Sequence, residues 1–309
     1  MNDELSEPTV PSPSPTEHSS KGLSFPLRIV FSLVGVCILV TVAVYKLPID
    51  NPFVRTVVSL IPYPAVLVNR TTISMNDYVI EREALMHYLQ STEVKELPSQ
   101  AVLEQAILDA LVNKSVVRLL ADEAGVKIDQ SRVDRFYEEV IKNNDSEEGL
   151  ARELSETFGW SEGEFKKRIV ESLVLAQQMN EQVLKDDTIQ APARLRIEEA
   201  RARLEKGEEF LLVAKEVNAG VTPPVESDLG VHMLSELPPE WSVLKDLQIG
   251  SYTDIIDLPQ GFAIFSVSER LEKKEGTQVH LLGIMTPKTT LEELVQQFLD
   301  TAHVKYFVK

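Results

Sequence analysis

The sequence predicts an α+β protein that consists of a single transmembrane helix, a helical domain and a small C-terminal domain with an antiparallel sheet. An uncharged apolar run lies near the N-terminus, apolar residues recur at helical spacing between 65 and 187, and alternating apolar runs follow after 188. The chain has 309 residues, of which 43% are hydrophobic and 26% charged. This composition is ordinary for globular proteins, and the length favours two domains.

The charge and the cysteine content argue against several classes of function. The chain holds 31 basic and 48 acidic residues, which give a formal charge of −17, and such a surface repels phosphate backbones. Nucleic acid is therefore not an expected partner. Cys37 is the single cysteine, and the five histidines lack metal-ligand spacing. We therefore expect no disulfide within the chain, no metal and no cofactor.

The N-terminal region predicts a tail followed by an anchor. Residues 1–25 are rich in Pro, Ser and Glu, which predicts a disordered tail. The run from Ile29 to Tyr45 has no charge and would form about 25 Å of helix, which predicts a transmembrane anchor over 26–47. A cleaved signal peptide and a buried soluble helix are the alternatives, but neither a clear cleavage site nor a polar stripe is present. Basic residues flank the run equally, so the positive-inside rule gives no orientation.

The region after the anchor predicts a helix bundle. Residues 48–64 form a connector that contains two prolines, and the helical domain covers 65–187. Ser74 or Asn76 is the expected N-cap of its first helix, Gly125 the expected C-cap of the second, and a capping box is expected at Ser131. Ser161 opens a further long helix. The apolar stripes of these helices are typical of a packed core.

Three stretches of the helical domain carry a family resemblance. They are the entry PYPAVLVN with the following IS and DY, the stretch ALVNKSVVRLLADEAGVKID, and GWSEGEFKKRIVESLVLAQQM. Together they resemble the N-terminal chaperone region of SurA- and PrsA-type foldases. The resemblance implies a protein-folding factor whose partners are unfolded or secreted polypeptides.

The C-terminal domain, 188–309, resembles a parvulin-type peptidyl-prolyl isomerase. The motifs GEEFLLVAK, SDLG, LPPEW, LQIGSYT and GFAI occur in the family's order. The matched positions are Phe210, Ala214, Lys215, Asp228, Leu229, Gly230, Leu247, Gly250, Gly261 and Ile264. Leu237 and Trp241 fall where the family places the Met and Phe of its proline pocket. The resemblance implies that Leu229, Leu237, Trp241 and Phe262 bind substrate.

The match to the parvulins departs from the family in two ways. No family-like first strand precedes Leu195, but a segment at about 278–286 resembles that strand and would follow the last family strand through a tight turn. We therefore predict a permuted domain. In this alignment Gly283 and Ala263 occupy the positions of the family's two histidines, and the family's Cys or Asp is replaced within 218–220. The polar network that would stabilise a twisted amide is missing, which predicts weak or lost catalysis.

His232 is the candidate catalytic residue, and an exposed loop histidine is the alternative interpretation. The leading hypothesis is a membrane-anchored folding factor, held by one helix in the cell membrane, with its C-terminal domains outside the cytoplasm. The second hypothesis is an active prolyl isomerase whose polar network is rebuilt from His232, His280 or Thr286. The third is a structural scaffold of a membrane complex. A homo-oligomer is left open.

Overall fold

A computed structural model describes residues 25–92, 97–144, 146–221, 224–274 and 276–308, with side chains from 34 onward. The disordered tail predicted for 1–25 lies outside these residues, apart from Phe25. The chain divides into two compact units, Met1–Ile61 and Pro62–Lys309. The described part of the first unit contains the helices α1 (Phe25–Lys46) and α2 (Pro52–Leu60). Helix α2 lies within the predicted connector. The side chain of Asn51 caps α2 by accepting a hydrogen bond from the amide of Phe53 at 2.9 Å.

The structure corrects the prediction of a membrane anchor. A membrane span needs about 20 consecutive apolar residues in one helix. Across the described ranges, no helix combines the length and the apolar character that crossing a membrane requires. The transmembrane helix predicted for 26–47 is therefore wrong. The predictions that depended on it, the membrane as a partner and a single-pass location with the C-terminal domains outside the cytoplasm, are withdrawn with it.

The second unit begins with a hairpin and a set of helices. Its first elements are β1 (Pro64–Val68), β2 (Thr71–Ser74), α3 (Met75–Ser91), α4 (Gln100–Ala124), α5 (Gln130–Asn143), α6 (Glu147–Phe158), α7 (Glu162–Phe165), a π-turn (Lys166–Val170) and α8 (Glu171–Lys185). Ser74 caps α3 by accepting from the amide of Asp77, as predicted. Gly125 ends α4 with φ 68°, a left-handed conformation that glycine adopts without steric cost. The cap of α5 differs from the prediction, because Asp129 and not Ser131 caps it.

The chain then forms a four-stranded antiparallel sheet with order β3-β6-β5-β4. Its elements are α9 (Asp187–Glu205), α10 (Phe210–Ala219), β3 (Asp228–Met233), a 3₁₀ helix (Pro239–Lys245), β4 (Ile256–Leu258), β5 (Gly261–Lys273) and β6 (Gly276–Pro287). Successive side chains of a strand point to opposite faces, so the sheet has two cores. One core contains residues of α9 and α10, and the other contains the 3₁₀ residue Leu244. We call residues 187–287 the sheet lobe.

The last segment of the chain returns to the first helices. Helix α11 (Leu291–Thr301) contacts α4 and α8, and β7 (Val304–Tyr306) pairs antiparallel with β1, so the second sheet has the order β2-β1-β7. We call residues 64–185 together with 291–306 the helical lobe. The sheet lobe is thus inserted between two segments of the helical lobe. The domain boundaries at 65–187 and 188–309 stay predictions.

Candidate functional site

A cavity of about 760 Å³ lies in the helical lobe between α3, α4, the turn after α6, and the π-turn with α8. Its wall is mostly apolar and includes Leu85 of α3, Ala110 of α4 and Leu173 of α8. Both Ala110 and Leu173 are exposed. The volume is within the range of cavities that bind ligands, and an exposed apolar lining is more typical of a binding site than of a folding core.

A row of three aromatic rings lines one wall of this cavity. Tyr88 stacks on Phe158 with ring centroids 5.7 Å apart, and Phe158 stacks on Trp160 at 5.5 Å. Exposure falls along the row, because Tyr88 is 39% exposed and Trp160 only 8%. The indole Nε1 of Trp160 is closed off from solvent and has no hydrogen-bond partner within the described part of the chain. A buried donor of this kind is costly, and native structures contain few of them.

The π-turn places two residues of the cavity wall. Arg168 and Ile169 lie in this turn and both line the cavity. The wider turn replaces the α-helical hydrogen-bond pattern, and such turns are frequent at functional sites. The carbonyl of Arg168 accepts hydrogen bonds from Lys114 Nζ at 2.5 Å and from Ser172 Oγ at 2.8 Å. Lys114 thereby ties α4 to the turn.

Three cations and one carboxylate line the cavity. The guanidinium of Arg168 is compensated, since it lies 3.2 Å from Glu81 and 3.5 Å from Asp77. Arg118 is exposed and forms no ion pair with any described residue. Burial lowers the pKa of Lys114, the carboxylate of Glu81 opposes that shift, and the like charges of Arg118 and Arg168 add to it. Arg118 thus presents at this wall a positive charge without an ion pair among the described residues, although the whole chain is strongly acidic.

The sheet lobe brings together three of the four predicted substrate-binding residues. Leu229, Leu237 and Trp241 pack against the same apolar core, where the ring of Trp241 lies 4.4 Å from that of Phe265. Phe262 lies on the opposite face of the sheet, in the core beneath α9 and α10. The residues predicted to form the pocket therefore do not share one face of the sheet. The side chain of Phe262 points away from the face against which the other three pack.

The positions of the two family histidines are packed. A Cβ atom on Gly283 would lie 2.9 Å from Leu229 Cδ1 and 3.5 Å from Phe265 Cδ1. Ala263 is fully buried. Neither position leaves space for an imidazole unless a neighbouring side chain moves.

The three residues that could rebuild a polar network each form a hydrogen bond with a different group. His232 Nε2 lies 2.7 Å from the carbonyl oxygen of Leu229. His280 Nε2 lies 2.6 Å from Asp228 Oδ1, and this hydrogen bond lowers the pKa of the aspartate. Thr286 is buried and donates to the carbonyl of Ala193 at 3.0 Å. Each of the three side chains is therefore already bonded within the sheet lobe, and none is bonded to another of the three.

No protein-family model matches this chain. The chain is similar to several proteins named Chaperone SurA. The protein from Alcanivorax borkumensis is 24% identical over 245 residues, which cover 65% of this chain and 56% of the relative. The one from Nitrosospira multiformis is 24% identical over 289 residues, covering 81% and 64%. The one from Vibrio parahaemolyticus is 29% identical over 117 residues, covering 38% and 27%.

The resemblance to SurA-type foldases is confirmed. The chain matches between about a quarter and two thirds of the length of these SurA relatives. The parvulin-type character of the sheet lobe stays a prediction, as do the assigned roles of its site residues.

One residue that sequence reasoning did not single out connects several elements of the sheet lobe. Asn218, at the end of α10, is 1% exposed. Its Nδ2 donates to the carbonyl of Gly283 at 2.9 Å and to Ser227 Oγ at 3.2 Å, while its Oδ1 accepts from the amide of Met285 at 2.9 Å. Asn218 belongs to the segment 218–220, within which the parvulin resemblance predicts that the family's Cys or Asp is replaced. Only the polarity of the residue in an apolar helix could have indicated its importance.

The close approach of Leu229 to Gly283 gives a test of the packing. Gly283→Ala is expected to lower the free energy of unfolding by about 1–3 kcal/mol, because the added methyl group overpacks the core. Leu229→Ala removes the obstructing side chain, so the double variant should lose less stability than the two single variants summed. Urea denaturation measures all three. Strictly additive losses would contradict a direct contact between these positions.

Proposed function

We propose that the chain is a protein-folding factor that holds segments of unfolded polypeptides in the cavity of the helical lobe. The observation that carries the proposal is the cavity itself, about 760 Å³ in volume with an exposed, mostly apolar wall. Transfer of apolar surface out of water contributes about 25 cal/mol per Å², so an apolar segment gains free energy by covering this wall. The similarity to proteins named Chaperone SurA supports the same function.

The chemistry of the wall suits a client that has no fixed structure. Apolar contacts are not directional, so segments of different sequence can cover the same surface. The row formed by Tyr88, Phe158 and Trp160 adds flat faces against which aromatic or proline rings pack. The cavity would thereby delay aggregation by shielding apolar segments until they fold.

The test introduces a charge into the cavity wall. Leu173→Asp is expected to weaken the binding of an unfolded client about tenfold, since it removes apolar contact area and places a charge where the client would exclude water. Affinity is measured by anisotropy of a labelled, permanently unfolded client, and activity by suppression of that client's aggregation by the whole chain.

Leu212→Asp is the matched control. Leu212 is 57% exposed on α10 in the sheet lobe and lies outside the cavity, whereas Leu173 is 44% exposed. The control variant should bind and protect the client like the unmodified chain. Equal effects of the two variants, or no client binding by the unmodified chain, would contradict the proposal. The latter result is also what the scaffold hypothesis predicts.

We also propose that the sheet lobe is a parvulin-type domain whose isomerase activity is weak or lost. The barrier to rotation of the peptide bond is about 18–20 kcal/mol, and its reduction requires polar groups beside the twisted amide. The apolar positions Gly283 and Ala263, together with the separate engagements of His232, His280 and Thr286, support this proposal. Self-association of the chain stays a prediction.

Short X-Pro peptides are expected to exchange between cis and trans at the uncatalysed rate when the protein is present at a micromolar concentration. Exchange spectroscopy by NMR measures the rate for a panel of residues before proline. Acceleration that is abolished in His232→Ala would instead favour the active isomerase.

A further inference from the structure

The cavity in the helical lobe is lined by charged side chains in addition to its apolar wall. Three of the four charged side chains that line it are cationic, in a chain whose formal charge is −17. Arg168 is neutralised by Glu81 and Asp77, and Lys114 is bonded to a backbone carbonyl. Arg118 is left at the exposed side of the cavity, paired with no carboxylate among the residues that the structure describes.

A second observation lies at the inner end of the aromatic row. The indole N–H of Trp160 is buried and without an acceptor in the described ranges. Its burial marks the tightly packed end of the row, whereas Tyr88 at the other end is 39% exposed. The cavity thus offers a bound segment apolar surface and, at Arg118, a cation without an ion pair among the described residues.

We propose that the cavity prefers polypeptide segments in which a bulky apolar residue is adjacent to a carboxylate. The apolar side chain packs against the row of Tyr88, Phe158 and Trp160, and the carboxylate lies beside the guanidinium of Arg118. This inference rests on the proposed function and adds the class of client. The chain as a whole repels carboxylates, since its formal charge is −17, so a cation without an ion pair at the cavity favours binding there.

Two peptides that differ at a single residue test the preference. Both are blocked at their ends and contain Leu-Phe in a Gly/Ser background. In one the next residue is Asp, and in the other it is Asn. Each competes with the labelled unfolded client for the full chain. The Asp peptide is expected to bind about fivefold more tightly at low salt. The difference should vanish at 1 M salt, where the screening length is about 3 Å.

Arg118→Gln is expected to reduce the preference to less than about twofold while the Asn peptide binds as before. Arg152→Gln is the matched control, because Arg152 is an exposed arginine of α6 outside the cavity. It removes the same charge and should keep the preference. Circular dichroism of both variants establishes that they are folded.

The outcomes separate this inference from the proposed function. Equal affinity of the two peptides, or a preference that survives Arg118→Gln, overturns the inference while client binding stands. No displacement of the client by either peptide overturns it as well. If dodecanoate displaces the client and the peptides do not, the cavity recognises an acyl chain and not a polypeptide. Loss of all client binding is instead the failure of the proposed function.

Discussion

Asn218→Leu is expected to lower the free energy of unfolding by about 3 kcal/mol, because the substitution keeps the volume of the side chain but removes its hydrogen bonds. The amide of Met285 and the carbonyl of Gly283 would stay buried at the centre of the sheet lobe without their present partner. Urea denaturation followed by circular dichroism measures the loss. The sheet is expected to loosen where α10 contacts β6.

Asn143→Leu provides the control for this prediction. Asn143 is exposed near the end of α5, and its side chain forms no hydrogen bond with the described residues. Its replacement should change the free energy of unfolding by less than about 0.5 kcal/mol. Similar losses in the two variants would show that Asn218 does not hold α10 to the sheet in the manner described.

Lys305→Pro is expected to destabilise the helical lobe by about 2–3 kcal/mol, because it removes a hydrogen bond between β7 and β1. The amide of Phe307 donates to the carbonyl of Ala65, and the amide of Asn69 donates to the carbonyl of His303. Alternate residues of a strand direct their amides to the same side, so the amide of Lys305 also faces β1. Thermal denaturation of the chain measures the effect.

Val304→Pro is the matched variant for the terminal strand. Strand β7 is an edge strand, and the amide of Val304 is directed away from β1 by the same alternation. Proline is tolerated at such positions, so this variant should retain most of the stability. If the two proline variants unfold at the same temperature, the last strand does not stabilise the helical lobe through its pairing.

Much of the fold could be predicted from local signals in the sequence. The helical spacing of apolar residues, Ser74 as an N-cap and Gly125 as a C-cap all describe elements that form in the structure. The predicted capping box at Ser131 was wrong because the helix begins one residue earlier, at Gln130, and Asp129 caps it. The pairing of β7 with β1 could not be predicted, since it joins residues more than 230 positions apart through backbone hydrogen bonds that carry little side-chain signal.

The candidate site could be predicted from the sequence less well than the fold. The apolar stripes of α4 and α8 were interpreted as core, which is correct for residues such as Met179 and Val183. The wall of the cavity includes the small side chains of Ala106 and Ala110 and residues of the π-turn, and the larger side chains around them leave the space unfilled. No local pattern indicates such a gap. The placement of Phe262 on the opposite sheet face from Trp241 likewise required the register of the strands.

The most direct test of the central claim is to map where an unfolded client touches the chain. A photo-reactive amino acid is placed at position 173 in the cavity or at position 212 in the sheet lobe, and cross-linking to a labelled unfolded client is quantified. The account predicts strong cross-linking from 173, its loss when unlabelled client competes, and little from 212. Equal cross-linking from both positions, or cross-linking from 212 alone, would contradict the claim that the helical cavity holds the client.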